Sequence, residues 1–235
     1  MAKNQQNNNN NMIPITRNGK VEFYICDHPV TQEEYRDVIT NSCPSFFIGG
    51  TCPVEQVSFY DAVEYCNERS KKEGLNPYYN INKECNPWNV VPNYPFTDGY
   101  RLPTEKEWEY AAIGGNSPDN YIYSGDNIIN NVAWYEANSN KTTHPVKQKN
   151  PNKLGLYDMS GNVWEWCWDK YYDNGGITNN DRIICGGSYD NPANLCEVAS
   201  QRHFTIYKTS PYIGFRVARN AENSQDNNKE NISKE

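Results

Sequence analysis

Helical hydrophobic periodicity appears in only three short places along this chain, and each place opens on helix-capping chemistry. Thr31-Gln32-Glu33-Glu34 and Thr104-Glu105-Lys106-Glu107 are capping boxes, in which the Thr hydroxyl accepts from an orphan amide and the Glu reaches back to the cap. After the second of these, Trp108, Ala111 and Ala112 share one face. A further start near Ser58 leads Phe59, Ala62, Val63 and Cys66 along an apolar stripe, with Gly74 placed as the residue that ends the helix. Elsewhere the chain is rich in Asn, Pro and Gly, with strand-like runs only at Val21–Cys26, Arg182–Cys185 and Gly214–Ala218. A fold built from it must rest on loops and short elements.

Composition says what holds those loops. Mean hydropathy is −0.92, yet 6 Trp, 18 Tyr and 7 Phe are far too many for a disordered polyelectrolyte. Aromatic rings must carry much of the core. Residues 1–12, dominated by Asn7 to Asn11, and the tail 220–235 have almost nothing to bury and are expected to be disordered. The domain is expected over 13–219. No stretch reaches the roughly 18 apolar residues of a membrane span, and the start of the chain lacks a signal peptide's apolar run. The expectation is a cytoplasmic monomer, with surface display as the alternative if an export signal or lipid anchor has been removed.

The charge balance of 22 basic and 29 acidic residues, −7 net, provides no broad positive field for a phosphate backbone, so nucleic acid is not an expected partner. Eight cysteines lie scattered without a CxxC pair, which argues against zinc knuckles and thioredoxin-like redox motifs and favours buried thiols. The three histidines, His28, His144 and His203, are too far apart to gather a metal from one helix face. GxSxG, GxxxxGK[ST] and GxGxxG are all missing.

Three segments remain that can carry chemistry. Leu154 to Asp169 mixes Gly turns, three Trp and three carboxylates; such spacing suits either a calcium ion or aromatic packing with locally bonded carboxylates. The stretch from Tyr189 to Tyr212 has the composition of a binding loop, with Tyr supplying contact area and small polar residues supplying adaptable hydrogen bonds. Cys185 and Cys196 flank the Gly186-Gly187 pair and are spaced for a dithiol, although Glu197 is expected to disfavour a thiolate at Cys196 and the inert reading is preferred.

Taken in order, Phe23-Tyr24-Ile25, Pro29 to Tyr35, Pro53 to Ala62, Gly99 to Ala112, Gly161-Asn162-Val163-Trp164-Glu165-Trp166, Gly186-Gly187-Ser188-Tyr189 and Gly214-Phe215-Arg216 closely resemble the formylglycine-generating enzyme family, also called sulfatase-modifying factors. The resemblance implies an α+β, C-type-lectin-like fold with low regular secondary-structure content. Catalytic members oxidise a sulfatase cysteine with dioxygen and a copper(I) ion held by two thiolates. The second of those positions corresponds to Cys196, but the first falls on Asn191, whose carboxamide cannot replace a thiolate on soft copper(I). The iron-dependent, sulfoxide-forming relatives need an added His-rich bundle, which three scattered histidines cannot supply.

The resemblance also implies a structural calcium site at Asp158, Gly161, Val163 and Glu165. A second branch fits as well, since Gly186 to Arg216 resembles the variable region of retroelement-diversified proteins of the treponemal type, which use the same fold as a frame for ligand contacts. On that reading the contact residues are Tyr189, Asp190, Asn191, Asn194, His203, Phe204, Ile206, Tyr207, Lys208, Ser210 and Tyr212. The expected function is non-catalytic binding of a protein or other macromolecule. The alternative is a copper-dependent oxidase using Cys196.

Overall fold

The three capped segments fold as expected. In the computed structural model, which describes residues 11–39, 43–93, 97–173 and 176–221, α1 spans Gln32–Val38, α2 Phe59–Lys72 and α3 Glu105–Ala112. Thr31, Ser58 and Thr104 each form a reciprocal capping box, with Glu34, Asp61 and Glu107 respectively. Each box satisfies two orphan amides at a helix start. A single-turn helix α4, Ile129–Val132, has no side-chain cap, and so left no capping signal to read.

The strands are β1 Met12–Arg17, β2 Lys20–Cys26, β3 Tyr79–Asn82, β4 Asn89–Pro92, β5 Tyr100–Arg101, β6 Trp164–Asp173, β7 Gly176–Cys185, β8 Gln201–Thr205, β9 Ile213–Gly214 and β10 Ala218–Asn220. One sheet has the order β1-β2-β10-β5, a second the order β8-β7-β6-β9, and β3-β4 is a separate hairpin. All pairings are antiparallel except β6 with β9. Residues 1–10 and 222–235 lie outside the described residues. Met12 and Asn220 are strand residues, so the sheet takes in one residue more at each end than the expected 13–219.

The run Gly214–Ala218 is not one strand. It breaks after Gly214 and resumes at Ala218. Between them Phe215 and Val217 turn their carbonyls to the amides of Val30 and Cys26, and Arg216 is directed into the interior. That crossing links the two sheets.

Two aromatic cores hold the loops together. Phe59, Val63, Tyr65 and Cys66 of α2 pack with Trp166 and Phe215, while Trp108 and Ala111 of α3 pack with Phe23 and Ile25 of β2 and with Cys167 and Cys185. Trp108 and Trp166 are fully buried. Each removes about 150–250 Å² from water, a gross gain of about 4–6 kcal/mol at about 25 cal/mol/Å². All eight cysteines are free thiols, and Cys85 alone is exposed. No helix is long and apolar enough to cross a membrane, among the described residues.

Candidate functional site

The site begins where β7 ends. Gly187, at φ +77°, turns the chain so tightly that a Cβ there would lie 2.7 Å from Cys196 Sγ and 2.6 Å from the Leu195 carbonyl. Only glycine fits that approach. Asn191 then fixes the next turn, its Oδ1 accepting from the Ser188 amide (3.0 Å) and hydroxyl (2.7 Å). After a 3₁₀ turn at Ala193–Leu195 the chain enters β8, which pairs with β7. It returns through residues 206–212 to β9, beside β6.

This path encloses an open cavity of about 380 Å³ between β6, β8, β9 and the 190–195 turn. Of the residues expected to bind, Asp190, Asn191, His203, Phe204, Ser210 and Tyr212 line it. Tyr189 does not present an open face: it is 3% exposed and packs against Phe47 and Tyr212 at ring separations of 5.3 and 5.4 Å. Ile206 is buried and faces a different cavity. Asn194, Tyr207 and Lys208 are exposed outside the cavity. Trp164, Ile184 and Ile213 complete its floor; Ile184 and Ile213 flank the expected stretch, and Trp164 comes from β6, distant in sequence. Arg202 and Leu195 also line it, from within the expected stretch.

His203 stacks on Tyr171 (3.9 Å) and lies 3.5 Å from an Asp181 oxygen, so its ring orientation is held. Beside the site Phe46 and Ile48 are 67% and 85% exposed. They offer apolar surface next to Phe47 and Tyr189. No periodicity signals that loop in the sequence.

The thiolate pair that the oxidase alternative would need does not form. Cys196 is fully buried, its Sγ 3.9 Å from the Ser188 carbonyl. Burial pushes its thiol up to about 12, only partly offset by the Ser188 backbone; Glu197 is not the cause. Cys185 does not pair with it either. The one thiol–thiol contact among the described residues is Cys167 with Cys185, at 3.8 Å across β6 and β7. With Asn191 committed to its turn, this donor set does not fit two-coordinate copper(I).

Nor does the expected calcium set fit. Glu165, 0% exposed, accepts from Arg216 Nε (2.6 Å) and Trp108 Nε1 (2.7 Å) at Oε2, and from Arg216 Nη2 (2.8 Å) at Oε1. Asp158 accepts from the Lys147 amide at Oδ2 (2.8 Å) and from Asn162 Nδ2 at Oδ1 (3.3 Å). Burial pushes the Asp158 carboxyl upward against those donors. Gly161 packs directly on Trp134, where a Cβ would lie 2.2 Å from the carbonyl oxygen, so only glycine fits there. The guanidinium of Arg216 already provides positive charge at Glu165, and both carboxylates of the expected set are bonded within the protein.

A loop-rich α+β frame with this Gly-turn site defines a C-type-lectin-like fold of the formylglycine-generating type. The chain belongs to the formylglycine-generating enzyme, or sulfatase-modifying factor, family, matching the Sulfatase-modifying factor enzyme 1-like domain over residues 2–221. It is 41% identical over 226 residues to the chaperone protein LppX of Paenibacillus barcinonensis, covering 84% of this chain and 80% of that one. It is 35% identical over 162 residues to the formylglycine-generating enzyme of Streptomyces coelicolor, covering 57% of this chain and 51%, about half, of that enzyme. Among solved structures, Treponema denticola variable protein 1 superposes with a TM-score of 0.75 at 31% identity, covering 89% of this chain and 95% of that one.

Proposed function

We propose that this chain is a non-catalytic binding module that holds a polypeptide ligand at the cavity between β6, β8 and β9. The observation that carries the reading is the state of the family's oxidising pair: Asn191 stands at one position and pins a turn, and Cys196 at the other is sealed behind Gly187. A buried, protonated thiol is neither a nucleophile nor a soft-metal ligand. What remains open is a surface of aromatic and polar side chains, with Phe204 and Tyr212 as anchors and Asp190, Arg202 and His203 as polar selectors. Likeness to a relative named a chaperone protein and to a variable protein supports a macromolecular ligand.

The test pans a random peptide display library against the wild-type protein and against His203→Ala and Tyr212→Ala variants. Expected are enriched peptides that the variants fail to hold. The proposal is overturned if a Cys-x-Pro-x-Arg peptide, with copper and oxygen, is turned over by the wild type and not by Cys196→Ser.

A further inference from the structure

A second cavity, distinct from the first, opens between the start of α2, the β3–β4 hairpin and the β6–β7 pair. It measures about 410 Å³, within the range of about 300–1,000 Å³ usual for small-ligand sites. Four aromatic rings, Phe59, Tyr60, Trp88 and Trp168, share its walls with two cations, Lys170 and Arg182. Tyr60 and Trp88 lie face to face, 4.8 Å apart and tilted by 31°.

Arg182 is the unusual member. It is 7% exposed, yet no carboxylate forms an ion pair with it among the described residues. Its Nη1 reaches only the Asn179 and Asp181 carbonyls, at 3.5 and 3.3 Å, and its Nε has no partner. The nearby Asp169 acts on it only at longer range, since Asp169 Oδ2 accepts from the Glu105 amide. The guanidinium is held over the Phe59 ring, 4.8 Å from its centroid, and lies 5.8 Å from that of Trp168, contacts that fix its plane. The Tyr60 hydroxyl is also buried, with the Trp88 backbone near it but short of good hydrogen-bond geometry. A desolvated cation lacking its counter-charge is costly to maintain, and a planar fork of N–H donors matches a carboxylate.

We infer that this cavity binds a carboxylate carried on a flat apolar body, with Arg182 and Lys170 holding the carboxylate and Tyr60, Trp88 and Trp168 enclosing the ring. Phosphate fits less well, because a group carrying up to two charges costs more to desolvate against these apolar walls than a singly charged carboxylate does. The shared chemistry has two sources, a free aromatic acid or the C-terminus of a peptide ending in an aromatic residue. The site is independent of the cavity assigned to polypeptide binding above.

The experiment titrates the full chain with phenylacetate and phenylacetamide, and with N-acetyl-Gly-Phe as free acid and as amide. Trp fluorescence and the indole N–H resonances of Trp88 and Trp168 report binding. Expected is saturable binding of at least one acid, about tenfold or more tighter than its amide, with both indoles shifting; the tighter of the two acids identifies the source. Arg182→Gln should weaken the acid about tenfold or more without changing the amide.

If Arg182→Gln fails to fold, two more exposed positions serve. Lys170→Gln should weaken the acid a few-fold and reduce its salt dependence, and Val91→Trp should block the mouth. The inference is overturned if no acid binds up to about 10 mM, if acid and amide bind alike, if the shifts fall on Trp164 instead, or if the folded variants bind as the wild type does.

Discussion

Replacing Glu165 by Gln tests the claim that a guanidinium rather than an ion neutralises the centre of the fold. The carboxylate and Arg216 have side chains 1% and 0% exposed, and Glu165→Gln removes the only anion bonded to that guanidinium among the described residues while conserving volume. Arg216 would keep its bonds to the Cys26 and Tyr157 carbonyls (3.0 and 2.9 Å), but its charge would lose its bonded partner in the interior, with Asp158 acting on it only at longer range. Breaking one side of such a pair costs about 3–5 kcal/mol. For a domain of this size each kcal/mol lowers Tm by about 2–4 °C, so a drop of about 6–20 °C is expected.

Arg216→Gln should cost a similar amount, since it leaves the Glu165 charge with only the Trp108 indole N–H and frees both carbonyls. The double variant should cost less than the sum of the two by about 2 kcal/mol or more, because each single change already forfeits the pair. Urea unfolding of the four proteins, with thermal melts alongside, measures the cycle. If the single losses add within about 0.5 kcal/mol, the two groups are energetically independent and the reasoning fails.

Further outcomes follow from the same geometry. Millimolar calcium or EDTA should leave the wild-type Tm unchanged, whereas a site filled at about 100 times its Kd would add about 2.7 kcal/mol and be evident in calorimetry. Gly187→Ala forces a Cβ against Cys196 Sγ and the Leu195 carbonyl at φ +77°; the loss should be about 2 kcal/mol or more and should unmask Cys196 to a thiol reagent. Thr104→Ala removes the acceptor for the Glu107 amide at 3.2 Å and should cost about 1 kcal/mol in urea unfolding.

The buried His28 predicts a pH profile. Burial opposes its charge, but hydrogen bonds to Asp27, Cys26 and Glu34 override it and push the imidazolium up to about 11, while the same contact takes Glu34, against its burial, down to about 2. The His28 contribution is therefore complete below its unfolded value of about 6.5 and fades as pH rises toward 11. That of Glu34 is complete above about 4.3 and fades as pH falls toward 2. The stability gap between wild type and His28→Gln should narrow steadily from pH 6 to 9.5; a constant gap would sink the assignment.

Much of the fold is legible in local chemistry. The starts at Thr31, Ser58 and Thr104 could be read because a cap is written within four residues of sequence. The break in Gly214–Ala218 could not, since it is imposed by the distant amides of Val30 and Cys26. The β3–β4 hairpin was hidden by its Asn-rich composition, and β6 by a run of rings that reads equally well as a loop or a strand. At the site, the 189–212 stretch declared itself by composition, but Trp164 reaches the cavity only through the pairing of β6 with β9. Calcium at Asp158 and Glu165 was what the family resemblance implied, and a resemblance records only where carboxylates fall along the chain. It does not record that Arg216, 51 positions later, arrives first.

The arrangement of β1, β2 and β10 has a consequence for how such a unit can be used. Met12 stands opposite Cys26, and Asn220 opposite Phe23, on either side of the same central strand. With strands about 4.8 Å apart and about 3.4 Å per residue, the polypeptide enters and exits within about 14 Å. A cassette with adjoining ends can be spliced into a host protein's turn without prising the host apart, and both cavities travel with it intact.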